Sequence, residues 1–105
     1  MSQANPEVGQ SISTGVVTTN HHDLGSGAPV LLLHGSGPGV SAWANWRLSI
    51  SALQDRFRLV APDLAGFGYS TVPPGYSFTR EAWLEQIVGL LDALELERVD
   101  VVGNS

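Results

Sequence analysis

Val99-Asp100-Val101-Val102-Gly103-Asn104-Ser105 is a short apolar strand that runs into Gly-x-Ser. A nucleophilic serine is presented from a sharp strand-to-helix turn. Small neighbours let the backbone bend there, which is the physical content of the pattern G-x-S-x-G. Gly103 supplies the first small neighbour, and Ser105 stands in the place of the serine. Taken alone, the tripeptide reads equally as a chain whose last residue is a serine, so its meaning depends on what the preceding residues build around it.

Working backwards, two more loops leave the ends of apolar runs. Pro29 to Leu33 is a continuous apolar stretch bounded by turn residues, as expected for a strand buried on both faces. It empties into His34-Gly35-Ser36-Gly37-Pro38-Gly39. Phe57 to Pro62 is a second such strand, followed by Asp63-Leu64-Ala65-Gly66-Phe67-Gly68-Tyr69-Ser70. Between them, Ser41 is placed to cap a helix whose Trp43, Trp46, Ile50 and Leu53 share one face. After the break at Pro73-Pro74-Gly75, Thr79 caps a second helix with Glu81 in its first turn. Its stripe is Trp83, Ile87, Leu90, Leu91 and Leu94.

Upstream, Thr14 to Thr19 and Asn20 to Leu24 read as two leading strands, and residues 1–13 as a flexible N-terminal arm. The order is β-β-β-α-β-α-β. It predicts an α/β domain over 14–105 with a mostly parallel sheet, an antiparallel leading edge and flanking helices. In such sheets, sites gather at the carboxyl ends of the strands. All three loops leave from those ends.

Composition narrows the function. The chain has 105 residues, 43% hydrophobic and 14% charged, enough for one small domain. Net charge is −5, lysine is absent, and the five arginines are scattered. No basic patch is available for nucleic acid or an anionic membrane surface. With no cysteine, disulfides and thiolate metal sites are excluded. No secretory signal or membrane span is apparent, so a soluble cytoplasmic protein is expected.

The glycine-rich loop at 34–39 suits backbone N–H donors aimed at an oxyanion, with the Ser36 N–H as the candidate and Gly35 and Gly37 beside it. A phosphate loop or a plain turn are the rival readings, but neither the Gly-Lys-Ser/Thr of a P-loop nor the G-x-G-x-x-G spacing is present. His34 reads as a histidine that braces loops rather than as a general base. Asn45, near the same loop, is a candidate substrate-facing group. Asp63 is expected to hold the backbone of the turn that follows it. His21-His22-Asp23 lacks further ligands at metal-site spacing, so no metal is expected.

Together, His34 to Gly39, Ser41-Ala42-Trp43-Ala44-Asn45-Trp46, Ala61-Pro62-Asp63 with Gly66 to Ser70, and Val102 to Ser105 resemble the α/β-hydrolase fold. More narrowly they resemble the meta-cleavage product hydrolases of bacterial aromatic degradation, over nearly all of residues 15–105. The resemblance implies cofactor-free hydrolysis of a carbon–carbon bond in a 2-hydroxy-6-oxo-hexa-2,4-dienoate. Ser105 would be the nucleophile and Ser36 a backbone oxyanion donor. Asn45 and Asn104, with Gly35 and Gly37, would bind substrate.

Ala65 stands where many α/β-hydrolases have proline. Family members are well over twice this length, and the complete protein is expected to form a homo-oligomer. Their helical lid, triad aspartate and triad histidine all follow the elbow, so this lid and C-terminal half are absent here. The 105 residues alone are expected to be inactive and to expose an apolar edge at the last strand. An ester or acyl hydrolase of the same fold, or a non-catalytic module, are the competing readings.

Overall fold

The structure, a computed structural model, describes residues 5–104. Five strands and two helices follow in the order β1 (Gln10–Ser13), β2 (Thr18–Leu24), β3 (Ala28–Leu33), α1 (Ala42–Leu53), β4 (Phe57–Pro62), α2 (Arg80–Ala93) and β5 (Asp100–Gly103). They form one mixed sheet ordered β1-β2-β4-β3-β5. β4, β3 and β5 are mutually parallel, while β1 and β2 make the antiparallel edge. This is the α/β arrangement expected from the alternation of strands and helices.

β3, and β4 apart from Arg58, are apolar because each face is covered. On one face α1 packs Ala42 and Ile50 on Leu32, Leu59 and Ala61, with Trp43 and Trp46 alongside. On the other, Leu90 of α2 meets Leu31 and Val60, flanked by Ile12, Ile87 and Leu94. Adjacent residues of β3 thus serve opposite cores, as the alternation of a strand requires. Ser41 and Thr79 cap the two helices through Ala44 N–H and Ala82 N–H. Leu53 closes the predicted face of α1 but is 39% exposed.

α2 lies so close to the leading hairpin that a Cβ on Gly89 would run into the Thr14 backbone carbonyl. β5 is an edge strand, and Val101 and Val102 are 57% and 46% exposed. No helix among the described residues is long and apolar enough to cross a membrane.

The N-terminal reading needs correction. Residues 10–13, assigned to a flexible arm, form β1 and pair with Thr18–His21. Residues 14–17, assigned to a strand, form the hairpin turn, with Thr14 N–H donating to Val17 O and Gly15 at φ +103°. An edge strand with one solvated face carries no apolar run, so its polar sequence hid it. Residues 5–9 are also tied down. Asn20 Nδ2 donates to Glu7 O at 2.8 Å, Gly9 N–H donates to Asn20 Oδ1 at 2.8 Å, and Ser41 Oγ donates to a Glu7 carboxylate oxygen at 2.5 Å. Residues 1–4 of the expected arm lie outside the described residues.

The His21-His22-Asp23 triplet is divided among three surroundings. His22 stacks on Trp43 with ring centroids 5.0 Å apart, and Asp23 takes a two-pronged ion pair from Arg58. His21 is 1% exposed, and neither ring nitrogen has a partner among the described residues. Burial holds its pKa below the ordinary 6.5, only partly offset by the charge of Asp23 and by the nearby Thr19 and Gln10 backbone.

A lowered histidine pKa means that the fold binds the neutral ring. Its contribution to stability is present above the unfolded value and lost as pH falls below it. His21→Leu should therefore flatten the loss of stability between about pH 7 and 5, measured as the change in urea midpoint. An unchanged slope would count against this assignment.

Candidate active site

Strand register assembles the site. β3 and β5 are neighbours, and Leu33 is paired with Gly103. The next residues of each strand, His34-Gly35 and Asn104, therefore emerge side by side at the carboxyl end of the sheet. The ladder continues one step beyond the strand through Asn104 N–H to Leu33 O at 2.9 Å.

Asn45, in the first turn of α1, joins the two loops. Its Oδ1 accepts from Gly35 N–H at 3.2 Å and from Asn104 Nδ2 at 2.9 Å. Three of the expected site residues thus meet at one oxygen atom. Its carbonyl end is used in holding protein rather than facing a ligand. Ser36 is exposed beside them, and its N–H takes no hydrogen bond among the described residues. Gly37 follows at φ +147°, in the region that favours glycine. Ser105, the expected nucleophile, lies outside the described residues.

Behind the loop sits Asp63, fully buried at the end of β4. Its Oδ1 accepts from Ala42 N–H at the start of α1 at 2.7 Å. Its Oδ2 accepts from Asn20 Nδ2 and Tyr69 N–H, both at 2.8 Å. The anion is well placed there, because the unpaired N–H groups of a helix start carry partial positive charge. Asp63 therefore holds its own glycine-rich turn, as its position after a strand suggested, and it also fixes α1. The turn must pass very near: a Cβ on Gly68, at φ +54°, would strike the carboxylate.

Three supports of this site are not evident from sequence. Gln86 of α2 accepts from Ala65 N–H at 2.9 Å and donates to Thr19 Oγ1 and Asp63 O, both at 3.0 Å. Asn20 bridges Asp63 to the N-terminal segment. Glu7 extends the α1 cap through Ser41. Gln86 left one clue, a polar residue inside the apolar stripe between Trp83 and Ile87. Asn20 and Glu7 left none, since their partners are 43 and 34 positions away.

The family model for the alpha/beta hydrolase fold matches residues 28–105. A 2-hydroxy-6-oxo-2,4-heptadienoate hydrolase from Pseudomonas putida is 50% identical over all 105 residues, which cover 38% of its length. A 2-hydroxymuconate semialdehyde hydrolase from a Pseudomonas species is 50% identical over 98% of this chain and 36% of its own. Among solved structures, a meta-cleavage product hydrolase (CumD) from Pseudomonas fluorescens, crystallised as a serine-to-alanine mutant with acetates, superposes with a TM-score of 0.92. It is 52% identical, over 96% of this chain and 37% of that one. This chain thus spans little more than a third of the length of these relatives. With the family model matching from β3 to Ser105, and the sheet and loops arranged as described, the chain belongs to the alpha/beta hydrolase fold family.

Proposed function

We propose that this chain forms the N-terminal part of a hydrolase that cleaves the carbon–carbon bond of a 2-hydroxy-6-oxo-hexa-2,4-dienoate, a ring-fission product of aromatic degradation. The observation that carries the reading is the junction at Asn45, where the loop bearing Ser36 and the strand end bearing Asn104 are held to one oxygen. A donor loop locked beside Gly-Asn-Ser is what acyl chemistry at Ser105 needs. The identity to two dienoate-type hydrolases supports the substrate class.

In this reading the dienol is first ketonised. Ser105 Oγ then adds to the C6 carbonyl as a base supplied by a longer form of the protein takes its proton. The resulting oxyanion accepts from the Ser36 N–H. The oxyanion collapses to an acyl-serine as the C5–C6 bond breaks. The electron pair shifts through the C3–C4 double bond onto the 2-oxo oxygen, which takes up a proton, C5 having received its proton in the ketonisation. Water releases the acyl group from Ser105 as a carboxylic acid, and the other product is 2-hydroxypenta-2,4-dienoate.

The test is to assay the longest natural form of the protein against a ring-fission dienoate and against a nitrophenyl ester. The dienoate should be preferred in kcat/KM by at least about 100-fold, a conservative floor for a site built around its substrate's polar groups. An equal or reversed preference would assign the site to ester hydrolysis instead.

A further inference from the structure

We propose that His34 is the positioning residue of the oxyanion donor, acting as the Nδ1–H tautomer to set the direction of the Ser36 N–H. The inference rests on the reading of Ser36 as that donor and adds the group that aims it.

The tautomer follows from hydrogen-bond roles. Leu64 N–H lies 3.0 Å from His34 Nε2, and a backbone N–H can only donate. Nε2 is therefore the acceptor, and the proton of the neutral ring is on Nδ1. That nitrogen lies 2.6 Å from Gly35 O and donates to it. The ring has no freedom to exchange these roles: it is 4% exposed, and Phe67 packs edge-on with centroids 5.2 Å apart.

The consequence lies in the next bond. Gly35 C=O and Ser36 N–H belong to one planar peptide, and the described chain contains no cis bond. In a trans peptide the two groups point in opposite directions. Drawing Gly35 O towards the buried imidazole turns Ser36 N–H away from it, out to the exposed side of the loop. The preceding peptide is fixed as well, because Gly35 N–H is held by Asn45 Oδ1. Both peptides of Gly35, the residue with the widest conformational freedom, are thus held by side chains. Leu64, which sets the tautomer, is itself the residue after buried Asp63, so the two glycine-rich loops are coupled through one ring. With both nitrogens engaged, His34 has none free to act as a general base.

Three measurements on the longest natural form test this. Long-range proton–nitrogen spectra of the labelled wild-type protein should show His34 protonated at Nδ1 and bare at Nε2. The opposite tautomer would overturn the proposal without any variant having to fold. His34→Ala should lower kcat by about 100-fold, the scale of a misplaced or missing oxyanion donor, with KM within about threefold. His34→Asn keeps a short donor that reaches Gly35 O while losing the Leu64 bond, and should recover most of kcat.

A purely structural histidine would instead lower the urea midpoint of both variants equally and leave turnover per folded molecule unchanged, which sinks the proposal. Ser105→Ala, run in parallel, separates the two levels. If it abolishes turnover while His34→Ala does not, the nucleophile stands and the positioning role falls. If it leaves turnover intact, the underlying reading falls.

Discussion

Ser105→Ala is expected to lower kcat for dienoate hydrolysis by about 10⁶-fold in the longest natural form of the protein, the scale seen when a serine nucleophile is deleted from an intact triad. Folding should be little affected. The change removes one hydroxyl oxygen and keeps the Cβ, so it adds no bulk and opens no large cavity. The loss is large because a covalent step has no substitute: the oxyanion donor and the binding groups remain, but nothing attacks the carbonyl. Steady-state turnover with the thermal midpoint measured on the same preparation checks both halves. A decrease of less than about tenfold would mean that Ser105 is not the nucleophile, since even one missing oxyanion donor costs more. Ser36→Ala makes a useful contrast, because only its backbone is assigned a role.

Asp63→Ala should be the most damaging substitution for stability, at about 3–5 kcal/mol. The carboxylate is fully buried and accepts from Ala42 N–H, Tyr69 N–H and Asn20 Nδ2. Its removal leaves all three donors without their acceptor in a dry site and removes the anion facing the α1 N-terminus. Asp63→Asn is the sharper test. One amide oxygen can still accept, but the NH₂ group must then face an N–H donor, so a loss of about 2–3 kcal/mol is expected. Urea midpoints of the two variants give the comparison. Wild-type-like stability of Asp63→Asn would show that hydrogen-bond polarity at this position does not matter. Because Leu64 N–H sets the His34 ring, the same substitutions should also lower turnover of the molecules that remain folded.

The two halves of the site were unequally legible. The loops could be found because each follows a strand whose composition is dictated by burial. Leu31 and Leu32 serve opposite cores, so Pro29 to Leu33 had to be apolar throughout, and His34 to Gly39 then stands out as the loop at its end. Helix starts were equally plain, since Ser41 and Thr79 satisfy N–H groups within three residues of themselves. β1 was missed for the converse reason: an edge strand exposed to water carries no apolar signal, and Gly15 turns the chain where a β-branched run suggested a strand.

Local pattern thus established the α/β class, the caps and the three loops at strand ends, because each of these follows from burial or hydrogen bonding among near neighbours. Folding in three dimensions settled the rest. The order β4-β3-β5 and the pairing of Leu33 with Gly103 bring Gly35 beside Asn104. The partners of Asn45, Asp63 and Gln86 follow from that packing, as does the ring nitrogen of His34 that carries the proton. The bonds from Leu64 to His34, Asn20 to Asp63, Asn104 to Asn45 and Gln86 to Thr19 join residues 30 to 67 positions apart. Their geometry depends on register and on which strands are neighbours, and a local hydrophobic period carries no information about either.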